Sequence, residues 1–194
     1  MNRRLILASA SPQRAKLLDQ LGVSHVAIAA DIDETPHPAE SAEALAERLA
    51  RGKAQALAAH YPDDVVLGSD TVVTLSERLY GKPADDAEAD SMLASLSGRT
   101  HRVVSGVALC VAGRCLSRIS MSQVTMRDIT AAERAGYVAS GEPIGKAGGY
   151  AIQGRGAIFI ARLDGSYSSV MGLPLYETAD LLREAGFELL GTTS

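Results

Sequence analysis

The sequence predicts an α/β protein whose sheet contains both parallel and antiparallel strands. Short apolar runs alternate with capped segments of helical periodicity along the 194 residues. Some runs are separated by a whole helix, as parallel strands require, whereas others are joined by short turns and predict hairpins. The hydrophobic fraction of 46% and the charged fraction of 22% are ordinary for a globular protein. The length predicts a single domain over residues 1–194.

In the first half of the chain, each predicted helix begins at a residue type that favours helix N-termini. These residues are Ser11, which precedes a proline, Ser41 and Asp85. The predicted order is strand 4–8, helix 12–22, strand 26–30, helix 42–59, strand 65–75 with a short return at 79–80, and helix 86–97.

The second half contains a long predicted hairpin of strands 102–111 and 114–125. A two-residue loop places Cys110 and Cys115 opposite each other across it, and we expect two reduced thiols there. The remaining predicted elements are a helix that starts at the capping box of Thr130 and Glu133 and ends at 140–141, a hairpin of strands 157–163 and 167–170, and a helix from Pro174 to Gly186.

The charge balance and the apolar runs exclude several kinds of partner. The formal net charge is −4, and the sequence lacks the clustered Lys and Arg of nucleic-acid-binding proteins. No window approaches the roughly 18 apolar residues of a membrane span. The apolar stretch at 5–8 is shorter than the roughly 7–15 residues of a signal peptide. We therefore expect a cytoplasmic protein that binds neither a nucleic-acid polymer nor a membrane.

A lysine lies on the apolar face of the second predicted helix. At 100° per residue, Leu45, Leu49 and Leu57 fall in one sector, and Lys53 falls in the middle of it. Two interpretations are open. The stem can pack while the ammonium reaches water, or the cation can face inward, where it would suit a phosphate group.

An acidic residue interrupts the third predicted strand. The apolar run 65–73 is broken at its centre by Gly68, Ser69 and Asp70. Burying a lone carboxylate is costly, so Asp70 needs a partner, a metal or a role in a reaction. The alternative is a turn or bulge at Gly68 that returns Asp70 to solvent.

A second acidic motif favours a different enzyme class. Asp31-Ile-Asp-Glu-Thr35 follows a strand and resembles the nucleophile motif of haloacid dehalogenase phosphatases, in which the first aspartate is phosphorylated. That fold also needs a later carboxylate pair to close a Mg²⁺ site. The acidic pairs at 63–64 and 85–86 precede a strand and a helix, where they do not fit this role.

Several motifs, in order along the chain, resemble those of the Maf-type nucleoside triphosphate pyrophosphatases. The resemblance extends from about Leu5 to Leu190. The motifs are Leu7-Ala-Ser-Ala-Ser-Pro-Gln-Arg14, Leu49-Ala-Arg-Gly-Lys53-Ala, Leu67-Gly-Ser-Asp-Thr71, Gly81-Lys82-Pro83, Leu96-Ser-Gly-Arg-Thr-His101, Gly148-Gly-Tyr-Ala-Ile-Gln-Gly154, and Gly165-Ser-Tyr followed by Val170-Met-Gly-Leu-Pro174.

The resemblance implies hydrolysis of a nucleoside triphosphate between the α- and β-phosphates, which releases a monophosphate and pyrophosphate. It implies a Maf/ITPase-like fold, with an elongated mixed sheet and two lobes around a nucleotide-binding cleft. Asp70 carries over as the general base, and Glu34 and Asp70 as ligands of Mg²⁺ or Mn²⁺. Lys53, Lys82 and Arg14 carry over as the cations that neutralise the triphosphate.

The resemblance also implies a set of substrate contacts. Backbone amides from Ser9 to Ser11, at a helix N-terminus, would bind phosphate oxygens. Thr71 and the segment that contains Gln153 resemble the branch that acts on dTTP and UTP, rather than the branch that prefers 7-methyl-GTP. Gln13 stands where that branch usually has an arginine, at a position linked to substrate choice.

Family members are commonly homodimers, so we expect a second copy of the chain as a partner. Modified pyrimidine nucleotides are a further expected substrate class. A module that senses nucleotides without catalysis is a remaining alternative, and it would not need the carboxylates of Glu34 and Asp70.

Overall fold

The computed structural model describes residues 3–190 and contains a mixed sheet of seven strands. The strands are β1 (Leu5–Ala8), β2 (His25–Ile28), β3 (Val65–Leu75), β4 (Arg78–Tyr80), β5 (Thr100–Val111), β6 (Arg114–Met126) and β7 (Ile160–Asp164). Their order in the sheet is β2-β1-β3-β5-β6-β7, and β4 pairs with β3. Strand β1 is parallel to β2 and to β3, whereas the β3–β4 and β6–β7 pairs are antiparallel. The predicted α/β class with a mixed sheet is confirmed.

Helices connect these strands, and most begin where the sequence predicts. Ser41 Oγ accepts from the Ala44 amide, and the reciprocal capping box of Thr130 and Glu133 is present. Among the described residues, no helix is both long enough and apolar enough to cross a membrane. The helices are α1 (Pro12–Asp19), α2 (Ala42–Ala58), α3 (Asp86–Leu96), α4 (Ala131–Val138), α5 (Tyr167–Met171) and α6 (Leu175–Glu184), with short 3₁₀ segments at Ala147–Gly149 and Arg155–Phe159.

The predicted hairpin of strands 157–163 and 167–170 is wrong in its second half. Residues Ile160–Asp164 form β7, but Tyr167–Met171 form the short helix α5. Ser166 closes this helical turn, because its Oγ accepts from the Ser169 amide and its carbonyl oxygen accepts from the Val170 amide. A local side-chain bond therefore outweighs the strand propensity of the run.

The chain divides into two compact units. The first comprises the residues up to Asp70, Ser105–Ser120 and the residues from Gly172, and the second comprises Thr71–Val104 and Met121–Met171. In the first unit, small residues of α2 pack on β1, β3 and β5. In the second unit, aliphatic side chains pack around Tyr137, Tyr150 and Phe159. The prediction of one domain over residues 1–194 stays a prediction.

The two cysteines face each other as predicted, but they form a disulfide rather than two reduced thiols. The turn between β5 and β6 consists of Ala112 and Gly113, both with positive φ, which is the geometry of a tight hairpin. It brings the Cα atoms of Cys110 and Cys115 to 4.1 Å. Cys110 belongs to the buried apolar cluster under α2, and the partly buried Cys115 packs against it.

Candidate active site

Helix α2 lies close to two strands of the first unit because each strand presents a glycine to it. A Cβ on Gly68 of β3 would lie 2.7 Å from the Ala54 nitrogen, and closer still to the Ala50 carbonyl oxygen. A Cβ on Gly106 of β5 would lie 2.7 Å from the Ala46 carbonyl carbon. Any larger residue at either position would force the helix away from the sheet.

This close packing brings Lys53 of α2 to Asp70 of β3. Lys53 Nζ lies 2.6 Å from Asp70 Oδ1 and 2.6 Å from Glu34 Oε1. The side chains of Lys53, Asp70 and Glu34 are 6%, 11% and 41% exposed. Of the two interpretations that the sequence left open for Lys53, the inward orientation is therefore confirmed, and the one in which the ammonium reaches water is wrong. Asp70 is likewise buried within an uninterrupted strand, so the alternative of a solvent-facing turn is also wrong.

An arginine of α1 adds a second cation to this unit. Arg14 Nε donates to the Gly172 carbonyl oxygen at 2.8 Å, and one terminal nitrogen lies 3.3 Å from Ser9 Oγ. Burial lowers the pKa of Arg14, whereas the carboxylates of Asp70 and Glu34 raise it. The guanidinium therefore lies within the electrostatic field of both carboxylates. Together with Lys53, it balances their two negative charges.

Ser9 organises the N-terminal end of α1. Its buried hydroxyl oxygen accepts from the Ser11 amide at 3.1 Å. Ser11 occupies the N-cap position without a side-chain capping bond, and Pro12 follows at the first helical position. Gln13 lies half-buried in the first turn. The positive end of the helix dipole is therefore beside Ser9 and Arg14.

The second unit holds the other predicted site residues. The Gly148 amide donates to the Gly81 carbonyl oxygen at 3.0 Å, which links the turn of Lys82 to the glycine-rich segment 147–149. Gly148 has a φ of +72°, and a Cβ there would lie 3.1 Å from a methyl group of Val73. Lys82 is exposed, whereas Gln153 is half-buried downstream of the glycines. Thr71, half-buried in β3, is the first residue of this unit.

Sequence reasoning missed the serine next to Asp70. Ser69 Oγ is buried and lies 2.8 Å from the Gly106 carbonyl oxygen and 3.0 Å from that of Gly172. Since Gly172 also accepts from Arg14, Ser69 and Arg14 share one acceptor. A polar residue inside an apolar strand was the available signal, but its partners are distant in the sequence.

The carboxylates of Glu34 and Asp70 are the candidate metal ligands. Both contact one ammonium group, so their oxygens converge on a small volume. The part of the chain that the structure describes contains no group of three or more His, Cys, Asp or Glu side chains suited to a metal. A metal at Glu34 and Asp70 would therefore need further ligands from water or from a bound phosphate.

Comparison with known proteins identifies the family. A family model described as "Maf-like protein" matches residues 4–185. The chain belongs to the Maf family. This membership confirms the resemblance drawn from the motifs, and it removes the basis for a dehalogenase nucleophile at Asp31.

Two curated relatives of this Maf-family chain have the name "dTTP/UTP pyrophosphatase". The protein of Myxococcus xanthus is 52% identical over 186 residues, which cover 95% of this chain and 94% of the relative. That of Aromatoleum aromaticum is 47% identical over 200 residues, which cover 96% of this chain and 97% of the relative. The solved structure of the Staphylococcus aureus Ham1 protein matches with a TM-score of 0.47 and 16% identity, over 65% of this chain and 73% of that chain.

Proposed function

We propose that this chain hydrolyses dTTP and UTP, and modified pyrimidine nucleotides of the same shape, to the monophosphate and pyrophosphate. The names of relatives at 52% and 47% identity support this substrate class. The observation that carries the proposal is the buried ammonium of Lys53 between the carboxylates of Asp70 and Glu34. This arrangement combines a proton acceptor with a fixed positive charge, as hydrolysis of a phosphoanhydride requires.

Asp70 acts as the general base. Its Oδ1 is bound to Lys53, which leaves Oδ2 to accept a proton from a water molecule. As the proton moves to Asp70, the water oxygen forms a bond to the α-phosphorus and the bond to the bridging oxygen breaks. Pyrophosphate leaves with that oxygen. The Lys53 bond fixes the orientation of the carboxylate throughout.

The cations stabilise the negative charge that develops on the phosphates. Lys53 and Arg14 supply fixed charge, and we assign Lys82 to the same role. We assign the amides from Ser9 to Ser11, at the positive end of α1, to phosphate oxygens. In the structure the Ser9 amide donates to the Leu7 carbonyl oxygen and the Ser11 amide to Ser9 Oγ, so these two amides must exchange those acceptors for the substrate. Lys53 and Arg14 are held by hydrogen bonds before the reaction, so these two cations need little reorganisation in the transition state.

Glu34 and Asp70 fit a divalent cation, Mg²⁺ or Mn²⁺. Mg²⁺ in nucleotide sites is commonly held by one or two carboxylates, with waters and substrate phosphates completing the octahedron. Two converging carboxylates match that donor set. When bound, such an ion supplies Lewis-acid stabilisation of the phosphate charge.

Gln153 recognises the base. Its amide offers one donor and one acceptor group, which match O4 and N3–H of thymine or uracil. Thr71 and Gln13 complete the substrate contacts, and a neutral Gln13 modulates the preference because it adds no positive charge. An unpaired polar group in a buried site costs about 1–3 kcal/mol, or roughly 5–150-fold in selectivity. Since the amide can rotate to match cytosine as well, fixed groups around Gln153 supply the discrimination, and on that basis we place dTTP and UTP above CTP and ATP. We place the enzyme in the cytoplasm as a homodimer that binds no nucleic-acid polymer.

The test is an assay of the four triphosphates with Mg²⁺ and with Mn²⁺, scored for pyrophosphate and for orthophosphate. Asp70→Asn should bind nucleotide nearly as the wild type does and lose catalysis by roughly 10²–10⁴-fold. Asp31→Asn is the matched control and should stay close to wild type. Release of orthophosphate, or loss of activity at Asp31 instead of Asp70, would contradict the proposal. Binding without any product would indicate a sensing module.

A further inference from the structure

The half-buried carboxylate of Glu142, in the second unit, accepts hydrogen bonds from three groups. Glu142 Oε1 accepts from the Tyr137 hydroxyl at 2.8 Å and from the Gly156 amide at 3.0 Å. Glu142 Oε2 accepts from the Arg155 amide at 3.0 Å. Burial raises the pKa of Glu142, but these donors outweigh it and lower the pKa below its usual value. The group is therefore a carboxylate at neutral pH, and both oxygens act as acceptors.

The Tyr137 hydroxyl connects this carboxylate to the other end of the same segment. It accepts from the Ala151 amide at 3.1 Å while it donates to Glu142. The Tyr137 ring is buried and packs edge-on against Phe159, with ring centroids 5.2 Å apart. The pair Tyr137–Glu142 therefore holds the backbone of segment 151–156 at its first residue and at its last two residues.

Segment 151–156 packs so closely against Tyr137 and Glu142 that its glycines have no room for a side chain. A Cβ on Gly154 would lie 2.5 Å from the Glu142 carboxylate carbon. A Cβ on Gly156 would lie 2.8 Å from the Tyr137 hydroxyl oxygen. The Gly154 amide also donates to the Ala151 carbonyl oxygen at 3.2 Å, which closes a tight turn around Ile152 and Gln153. The backbone position of Gln153 thus depends on bonds to residues 137 and 142.

We propose that Glu142 and Tyr137 are positioning residues that fix the turn 151–156 and thereby set the pyrimidine selectivity of Gln153. This inference rests on the proposed function, which assigns base recognition to Gln153. An amide side chain can rotate to satisfy either uracil or cytosine, so a flexible turn would discriminate poorly between them. The Tyr137–Glu142 pair does not stop that rotation, but it holds the turn in one place. The base then meets Gln153 and the backbone groups of the turn in one fixed arrangement, which favours one orientation of the amide.

Two conservative variants test the inference. Glu142→Gln keeps the size of the side chain but replaces one acceptor oxygen with an NH₂ group, which faces an N–H or O–H donor. Tyr137→Phe keeps the ring packing but leaves the Ala151 amide without its acceptor. Exposed controls with the same chemical changes are Glu77→Gln and Tyr176→Phe, since Glu77 is at the β3–β4 turn and Tyr176 is 74% exposed.

The readout is the ratio of kcat/KM for UTP to that for CTP, with KM and kcat measured separately. Both variants should lower this ratio by roughly 5-fold or more through KM, with a much smaller change in kcat for UTP. The controls should keep the wild-type ratio. Amide hydrogen exchange at residues 151, 155 and 156 should become faster in both variants, which measures the positioning role independently of activity. If Glu142→Gln does not fold, Tyr137→Phe alone decides.

An unchanged ratio in a folded variant would overturn the inference, as would an equal loss for both nucleotides. Gln153→Ala separates this result from a failure of the proposed function. If Gln153→Ala leaves the ratio unchanged, the assignment of base recognition fails, and the inference fails with it. If Gln153→Ala lowers the ratio but the two positioning variants do not, only the inference fails.

Discussion

Gly68→Ala should displace helix α2 and weaken catalysis without touching a reactive group. The added methyl carbon would lie 2.7 Å from the Ala54 nitrogen and closer still to the Ala50 carbonyl oxygen. Since non-bonded carbon atoms prefer about 3.5–4.0 Å, the helix must move by about 1 Å. Lys53 is next to Ala54, so its 2.6 Å bond to Asp70 should lengthen with that movement.

Two magnitudes follow for this variant. Overpacking of a close contact costs about 1–3 kcal/mol of the free energy of unfolding. A misplacement of about 1 Å at a reacting group costs up to roughly 10²-fold in rate. Urea unfolding measures the first, and steady-state pyrophosphate release from UTP measures the second.

Gly136→Ala is the matched control. Gly136 lies in α4, and a Cβ there would meet nothing within 4 Å. The same substitution should therefore stabilise the protein by about 0.5–1 kcal/mol and leave the rate unchanged. Wild-type stability and rate in Gly68→Ala would refute the argument that this glycine sets the distance between α2 and β3.

Three further predictions concern single groups. Lys53→Met keeps most of the stem packing and removes the charge, so kcat should fall by roughly 10²–10³-fold in a folded protein. The control Lys16→Met changes an exposed lysine and should keep the wild-type kcat. Equal rates for the two variants would exclude Lys53 from catalysis. Burial lowers the pKa of His101 from 6.5 to about 4, so the unfolded chain takes up this proton first. The contribution of His101 to the free energy of unfolding is complete above pH 6.5 and falls by about 2 kcal/mol between pH 6.5 and 5. Urea unfolding of His101→Gln at a series of pH values should lack this pH dependence. Parallel plots of unfolding free energy against pH for the variant and the wild type would contradict the prediction. The disulfide of Cys110 and Cys115 closes a loop with a sequence separation of 5, so the double serine variant should have a free energy of unfolding about 2 kcal/mol lower than the wild type. Dithiothreitol should lower the free energy of unfolding of the wild type but not that of the variant. Equal stability of the two proteins would argue against a structural disulfide.

The sequence predicts most of the fold because local signals and tertiary packing agree over long stretches. The predicted strand 65–75 coincides with β3 (Val65–Leu75), and Ser41 caps α2 as expected. The helical period placed Lys53 on the apolar face of α2, since one turn in either direction is apolar, but it left open whether the ammonium faces inward or reaches water. The failure at Tyr167–Met171 has a local cause, because the Ser166 hydroxyl bonds to the backbone in a way that strand propensities do not include.

The partners of the candidate site were harder to predict because they lie far apart in the sequence. Glu34 is in a loop without periodicity, and only the family resemblance assigned it to the site. Glu142 follows a predicted helix end and has no feature that distinguishes it from a surface glutamate. Its role depends on two amides more than ten residues later, in a segment with an irregular backbone. Such pairings become visible only when the chain is folded.

The packing of α2 determines the position of the Lys53 ammonium between Asp70 and Glu34 as much as the charges of these residues do. Ala46, Ala50 and Ala54 are fully buried and four residues apart, so they form one row along the helix. Two glycines face this row from neighbouring strands and let the helix backbone approach the sheet. At that distance the long stem of Lys53 lies within the unit, and its ammonium ends beside Asp70 rather than in water. A compact ammonium with three donors can then bind two carboxylates at once, and each carboxylate offsets part of the cost of burying the charge. Small residues that carry no chemistry themselves therefore determine where the reactive charges meet.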